Sequence, residues 1–328
     1  MKEFFKLMDL PAVLALADRF EPTASENLAL EDALGRVVAE PVTAGLDIPG
    51  FDRSTMDGFA VAAASTFGAS EGNPAYVSVT GTVAMGEETD LSVGPGAAVQ
   101  IATGGMLPAG ADAVVMVEHT DLLDDTTIEV YKSVAPGQNV VSRGEDIAAG
   151  NLVLNRGTCL RPQELGLLAA LGRERVSVHR HPRVGILSTG DEVVDIHTEP
   201  RVGQIRDMNA YALAGQARRC GAVTRSYGIV ADDAALLSQR CAAALAENDM
   251  VLLSGGSSVG TRDFTIEILE ALPDTEVLVH GISISPGKPT ILARSGRKAV
   301  WGLPGHVTSA MVVFAAVVKP FLLHVGGH

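Results

Sequence analysis

The sequence predicts an α/β protein: a doubly wound α/β domain, an inserted β-rich domain, and a discontinuous helical and linker domain that flanks the insert. Three observations predict it. From about residue 176 strand-like and helix-like stretches alternate, the pattern of a sheet covered on both faces. Residues 42–141 instead hold short Val/Thr/Tyr/Ile runs broken by Gly, Pro and Asp, as a β-rich domain would. Helical patterns lie on either side of that stretch. The expected boundaries are 1–45 with 141–176 for the helical and linker domain, 46–140 for the insert and 177–328 for the α/β domain.

Taken in order, Pro11 opens a helix running to Arg19, and the spacing of Leu28, Leu30, Leu34 and Val37 predicts a second helix over 27–38. Strands are expected at 75–79, 97–103, 113–118 and 127–134, and a helix at 161–171. In the α/β part, strands 183–188, 222–230 and 250–254 alternate with helices 209–220, 232–247 and 263–272. Asn209 and Asp232 occupy N-cap positions, and Gly221 follows a helix end. Residues 250–253 are apolar throughout, as expected of a strand buried on both faces. Short strands at 277–279, 290–293 and 298–302 and a closing helix over 307–323 complete the pattern.

With 25 basic against 39 acidic residues the formal charge is −14, and aromatics are only 4 %. That field repels nucleic acid and anionic membranes, and few aromatics are available for base stacking. An anionic ligand would need local donors. The three cysteines, Cys159, Cys220 and Cys241, are odd in number and lack C-x-x-C spacing, which argues against a disulfide framework or structural zinc and for a cytoplasmic protein. Cys220 and Cys241 are expected in the core. Glu3, Asp9, Pro11 and Asp18 interrupt the N-terminal apolar residues and spoil a secretory signal. The apolar run 310–318 stops at Lys319 and Pro320, short of the ~20 residues that a membrane span needs.

Five segments carry the functional signal: FDRSTMDGFA at 51–60, RGEDI at 143–147, STGDE at 188–192, SGGSSVGTRD at 254–263 and SPGKP at 285–289. Glycine lets backbone N–H groups approach an anion, carboxylates hold a hard cation, and lysine adds mobile positive charge, so the set describes a phosphate-and-metal site. Ligands of open α/β sheets settle beyond the carboxyl ends of the strands. The loops 188–192, 254–263 and 303–306 all follow predicted strands, so they can line one crevice. Ser254, Gly255, Gly256, Ser257, Ser258 and Gly260 supply donors there. Asp263 is either a metal ligand or a helix cap. Asp191 and Glu192, adjacent acids after a buried strand and Gly190, gain little by packing. Lys288 stands between two prolines that fix where its ammonium points. Turn formation alone would account for Asp57-Gly58, Thr103-Gly104-Gly105 and residues 143–146, each taken singly. His306 fits a helix start better than an acid or base.

In this order the segments resemble the molybdopterin molybdenumtransferase family, MoeA, to which the E domain of gephyrin is related. Its carriers are residues 49–61 (PGFDRSTMDGFAV), 101–118, 137–147, 186–193 (ILSTGDEV), 252–265 (LLSGGSSVGTRDFT), SPGKP, and 302–306 (GLPGH), so the resemblance spans essentially the whole chain. It implies a MogA-like α/β domain that binds molybdopterin. The implied reaction joins adenylylated molybdopterin with molybdate, releases AMP and yields the molybdenum cofactor, with Mg²⁺ assisting. The resemblance makes Asp57, Asp146, Glu192, Asp263 and Lys288 catalytic, with Glu192 and Asp263 as metal ligands. Cofactor-binding positions would be Thr103, Thr189, Gly190, Asp191, Ser254, Gly255, Gly256, Ser257, Ser258, Gly260, Ser285, Pro286, Gly287, Pro304 and Gly305. It further implies a homodimer whose cleft combines two subunits, with the molybdopterin adenylyltransferase as a further partner. Two departures stand out. Ser285 replaces a second lysine frequent in the family, removing a positive charge, and this sequence, ending Gly326-Gly327-His328, has no counterpart of the small C-terminal β domain of most members. Competing readings are a non-catalytic molybdopterin-binding scaffold or carrier and an adenylyltransferase-like enzyme.

Overall fold

The computed structural model describes residues 7–255 and 262–328, with side-chain detail beginning again at Thr265. The chain forms two compact units, Met1–Pro41 with Leu154–His328, and Val42–Val153.

The first unit is built on a six-stranded sheet. Its order in space is Val223–Val230, Arg183–Thr189, Met250–Ser254, Lys298–Leu303, Ile291–Ser295 and Thr275–His280. The first four strands are parallel, and Ile291–Ser295 runs antiparallel to both its neighbours. Side chains on a strand alternate between faces, and here both faces are covered. Ile186, Leu252 and Trp301 enter one core with Leu213 of the Asn209–Arg219 helix and Phe314 and Phe321 near the C-terminus. Leu187, Val251, Leu253 and Val300 enter the other with Leu237, Cys241 and Ala244 of the Ala234–Glu247 helix. This double burial is why residues 250–253 carry no polar side chain. Trp301 and Phe321 meet edge to face at 5.0 Å, and Phe20 joins them at 5.6 Å from Phe321.

The C-terminal helix spans Val307–Val325 with a π-helical turn at Phe314–Val318, and it runs through Lys319 and Pro320, where the apolar pattern alone stops. Among the described residues it is the one helix long and apolar enough, by length and composition, to cross a membrane. Its Ala310, Val313, Val317 and Phe321 nevertheless pack into the first core, the ordinary behaviour of a core helix.

The N-terminal helix begins as predicted, with the Asp9 carboxylate accepting from the Ala12 N–H at 2.8 Å ahead of Leu10–Ala15, and it continues as a 3₁₀ turn to Arg19. The second expected helix, over 27–38, does not form. Ser25–Ala29 is a strand paired antiparallel with Arg175–His179, followed by a 3₁₀ turn at Leu30–Asp32 and by Gly35 at φ +73°. The backbone bonds of a partner strand outweigh a helical spacing of leucines, and the left-handed Gly35 interrupts any helix there. Two cap assignments also change. Asp233, not Asp232, caps Ala234–Glu247, and Asp207 instead of Asn209 accepts the Ala210 N–H at the start of Asn209–Arg219. Gly221 follows that helix at φ +80°, as its position predicts. Cys241 is fully buried and its thiol is pushed up to about 12 by desolvation, whereas Cys220 is half-buried at a helix end and packs against the margin of the first core.

The second unit holds another six-stranded sheet, ordered Ala113–Met116, Gly58–Val61, Ala97–Ile101, Ala75–Thr82, Thr127–Val130 and Thr120–Leu122. One face packs Phe59, Val61, Val77, Val115 and Ile128, the other Ala60, Val99, Ile101 and Val114. Gly58 is obligatory, since a Cβ there would lie 1.9 Å from the Val115 carbonyl oxygen.

Candidate functional site

At the carboxyl ends of the parallel strands, Ser188, Ser254 and Leu303 stand in one row of the sheet. Beyond that row lies a cleft of about 390 Å³ lined by Ser188, Thr189, Glu192, Asp207, Asn209, Ser254, Gly255, Gly305 and His306, with Val193, Ile205, Arg206 and Met208. The three predicted loops therefore meet through their described residues. Gly190 and Gly255 sit at φ +136° and +113°, and a Cβ on Gly255 would be 2.1 Å from the Thr189 carbonyl oxygen. Only glycine lets these two strand ends cross so closely.

Local hydrogen bonds shape the walls. The Thr189 hydroxyl donates to Asp232 at 2.9 Å, and the Asp232 N–H donates to the Asp191 carboxylate at 3.2 Å, so Asp191 holds a neighbouring loop instead of facing the cleft. The Ile205 N–H bonds the Glu192 carbonyl at 2.8 Å, tying the short strands Val193–Val194 and Ile205–Arg206 together. Asn209 donates from Nδ2 to the Gly305 carbonyl at 2.7 Å, which joins the helix start to the LPGH loop. The exposed Glu192 carboxylate makes no hydrogen bond or ion pair among the described residues. Ser188, only 2 % exposed, has a shielded Oγ without a partner, and the Asn209 Oδ1 is likewise unpaired. An unpaired buried polar group costs about 1–3 kcal/mol, so two at one cleft are unlike ordinary packing.

Ser285, Pro286, Gly287 and Lys288 lie elsewhere on the same sheet edge. Their loop joins Thr275–His280 to Ile291–Ser295 and does not line the cleft. It is tightly built: the Ile282 N–H bonds the Lys288 carbonyl at 3.0 Å, the Thr290 hydroxyl bonds the Gly287 carbonyl at 2.6 Å, and a Cβ on Gly287 would strike Val313 at 2.4 Å. Lys288 and Ser285 are exposed, and Pro304 is buried behind Gly305. Gly256, Ser257, Ser258 and Gly260 lie outside the described residues. Asp263 falls within the Arg262–Glu270 helix, one residue past its start, but its side chain also lies outside the description. His306 precedes the C-terminal helix as its N-cap residue without a side-chain bond, in keeping with a helix start.

In the second unit, three turns fasten to one another. The Asp57 carboxylate accepts the Thr103 N–H at 2.7 Å, which holds its carboxyl below the usual range. The Ser54 N–H donates to the Gly105 carbonyl at 3.0 Å, and Val140–Val141 pairs with Arg53–Ser54. Asp52 accepts the Arg143 N–H at 2.7 Å. Asp47 accepts the Ala149 N–H at 2.8 Å and the Arg143 guanidinium at 2.6 Å, contacts that hold its carboxyl low as well. Asp146 is exposed, and its N–H bonds the Ile48 carbonyl at 3.1 Å. Asp57, Thr103 and the segment carrying Asp146 thus belong to one framework of turns.

Sequence reasoning gave Ser188 no role beyond opening the 188–192 segment, and passed over Arg206, Asp207, Asn209 and Asp232 as site residues. A serine ending an apolar strand and polar residues heading a helix have ordinary roles, and only the folded crevice separates them from caps. Among the described residues no group of three or more His, Cys, Asp or Glu is placed to hold a metal.

Comparison with known proteins agrees with the geometry. The MoeA N-terminal region (domain I and II) matches residues 8–172, and the family described as "Probable molybdopterin binding domain" matches residues 185–324. The molybdopterin molybdenumtransferase of Haemophilus influenzae is 36 % identical over 306 residues, covering 93 % of this chain and 74 % of the relative. That of Bacillus subtilis is also 36 % identical, over 301 residues, covering 91 % and 70 %. A crystal structure of a molybdopterin biosynthesis MoeA protein from Pyrococcus horikoshii superposes with TM-score 0.85 at 33 % identity, over 98 % of this chain and 80 % of that one. The chain belongs to the MoeA family.

Proposed function

We propose that this MoeA-family chain is a molybdopterin molybdenumtransferase, inserting molybdate into adenylylated molybdopterin with release of AMP. The observation that carries the reading is the cleft at the carboxyl edge of the α/β sheet, where Gly255 lets two strand ends cross closely beside a Glu192 carboxylate that is unpaired among the described residues. The adenylyltransferase and scaffold readings have no comparable support, since relatives covering both units are named as molybdenumtransferases.

In this reading the strand-end loops around Ser254, Gly255 and Gly305 bind the nucleotide and pterin phosphates, and Gly256, Ser257, Ser258 and Gly260 are assigned to the same binding role by the family resemblance alone. Lys288 neutralises an oxyanion, and its stiff proline-flanked loop keeps the charge at one place. Asp57 and Asp146 act from the second unit as part of a homodimeric assembly. The division into domains 1–45 with 141–176, 46–140 and 177–328 remains part of the proposal, as do a cytoplasmic location and contact with the adenylyltransferase.

The residues fit Mg²⁺ of the kind that keeps most of its waters and takes one or two carboxylates plus substrate phosphates. Glu192 and Asp263 would hold it, and it would offset charge developing on the leaving phosphate. Among the described residues no side chain competes for the Glu192 carboxylate. Cofactor formation from adenylylated molybdopterin and molybdate tests the whole reading. Glu192→Gln and Asp263→Ala are expected to lose roughly 10²–10⁴-fold in turnover while remaining folded. Turnover equal to wild type in both variants would sink the assignment.

A further inference from the structure

We propose that Ser188 and Asn209 form a specificity pair that reads the neutral hydrogen-bonding edge of the pterin, not a phosphate. The proposal rests on the molybdopterin reading above. Two buried polar atoms left without partners, Ser188 Oγ and Asn209 Oδ1, belong to residues lining the same cleft. The amide orientation of Asn209 follows from its partner: the Gly305 carbonyl only accepts, so Nδ2 faces it and Oδ1 is the end left over. Ser188 is the second-last residue of its strand, aligned with Ser254 on the neighbouring strand, so its hydroxyl is held by rigid backbone.

The chemistry of the pair selects its guest. Oδ1 can only accept, and a hydroxyl donates or accepts, so together they complement a ligand edge with an N–H donor beside a second polar group. The amine, ring N–H and carbonyl of a pterin form such an edge. A phosphate oxygen offers only acceptors and negative charge. Asn209 Oδ1 would repel it. A site that completes buried polar groups discriminates strongly against a guest lacking the matching group.

Equilibrium binding of adenylylated molybdopterin and, separately, of AMP to wild type, Ser188→Ala and Asn209→Ala tests the pair. Each substitution is expected to weaken adenylylated molybdopterin about 10-fold, the worth of one good hydrogen bond. Ser188→Ala should change AMP affinity less than ~2-fold and melt no lower than wild type, because it removes a hydroxyl that has no partner in the folded chain. Asn209→Ala also loses the Gly305 tie, so Ser188→Ala is the decisive variant. If wild type binds and converts the pterin substrate while Ser188→Ala binds it equally well, or loses AMP in parallel, the pair is not a pterin reader and the function stands. If wild type binds no pterin substrate, both the function and the pair fall.

Discussion

The two units use carboxylates in opposite ways. In residues 42–153, Asp47, Asp52 and Asp57 all accept backbone N–H groups from turns distant in sequence. In the α/β unit Asp191 and Asp207 do similar local work, but among the described residues Glu192 keeps its carboxylate unpaired beside a cleft with two further unpaired polar atoms. The difference follows from architecture. A β-rich unit of short strands leaves many turn N–H groups to satisfy, and acids satisfy them. A parallel sheet pairs most of its backbone within itself and opens a crevice at its strand ends, where an acid remains available to a guest.

Several changes break or sharpen that contrast. The largest effect is expected from Phe321→Ala, which removes a ring packed on both Trp301 and Phe20 and should cost about 3–5 kcal/mol, read as a loss of hydrogen-exchange protection in the α/β sheet. Gly58→Ala drives a methyl group into the Val115 carbonyl and should cost about 1–3 kcal/mol, read in protection of Gly58–Val61 and its neighbours. If it leaves that protection intact, the close crossing of strands is not a constraint. Ile128→Val, a single methylene in the valine-rich core, is expected to cost only about 0.5–1.5 kcal/mol in denaturant unfolding.

The smallest effects are in acid. Asp57 has a folded value below its ordinary 3.8, so its contribution is present above about pH 4 and fades as pH falls through the folded value. Glu164, held by Arg161 down to about 2, contributes above its ordinary 4.5 and loses that contribution between about pH 4.5 and 2. Asp57→Asn should therefore flatten the acid limb of stability in the β-rich unit, and Glu164→Gln that of the α/β unit. An unchanged pH profile in either variant would show that its carboxylate does not stabilise the fold.

Much of the architecture was legible in the chain because its signals are local. The continuous apolar run at 250–253, Gly221 after a helix and Pro11 at the start of one each predict their element from neighbouring residues alone. The helix expected at 27–38 failed because its competitor, the strand Arg175–His179, lies far away in sequence. The loops 188–192, 254–255 and 303–306 announced themselves by glycine and charge. The particular part of Ser188 within its loop, and of Asn209, was not legible, since nothing beside them in sequence marks a hydroxyl or amide as unpaired. Turn formation alone would account for Asp57, and folding makes Asp52 and Asp57 the fasteners of turns 91 and 46 residues away. Composition and periodicity therefore set the sheet, its covering helices and the acid-and-glycine character of its rim, because those depend on burial and backbone freedom that each short segment carries with it. Which carboxylate is tied down, which is left open and which buried atoms await a partner were decided by tertiary contact alone, because hydrogen-bond satisfaction belongs to pairs of groups that the linear order does not bring together.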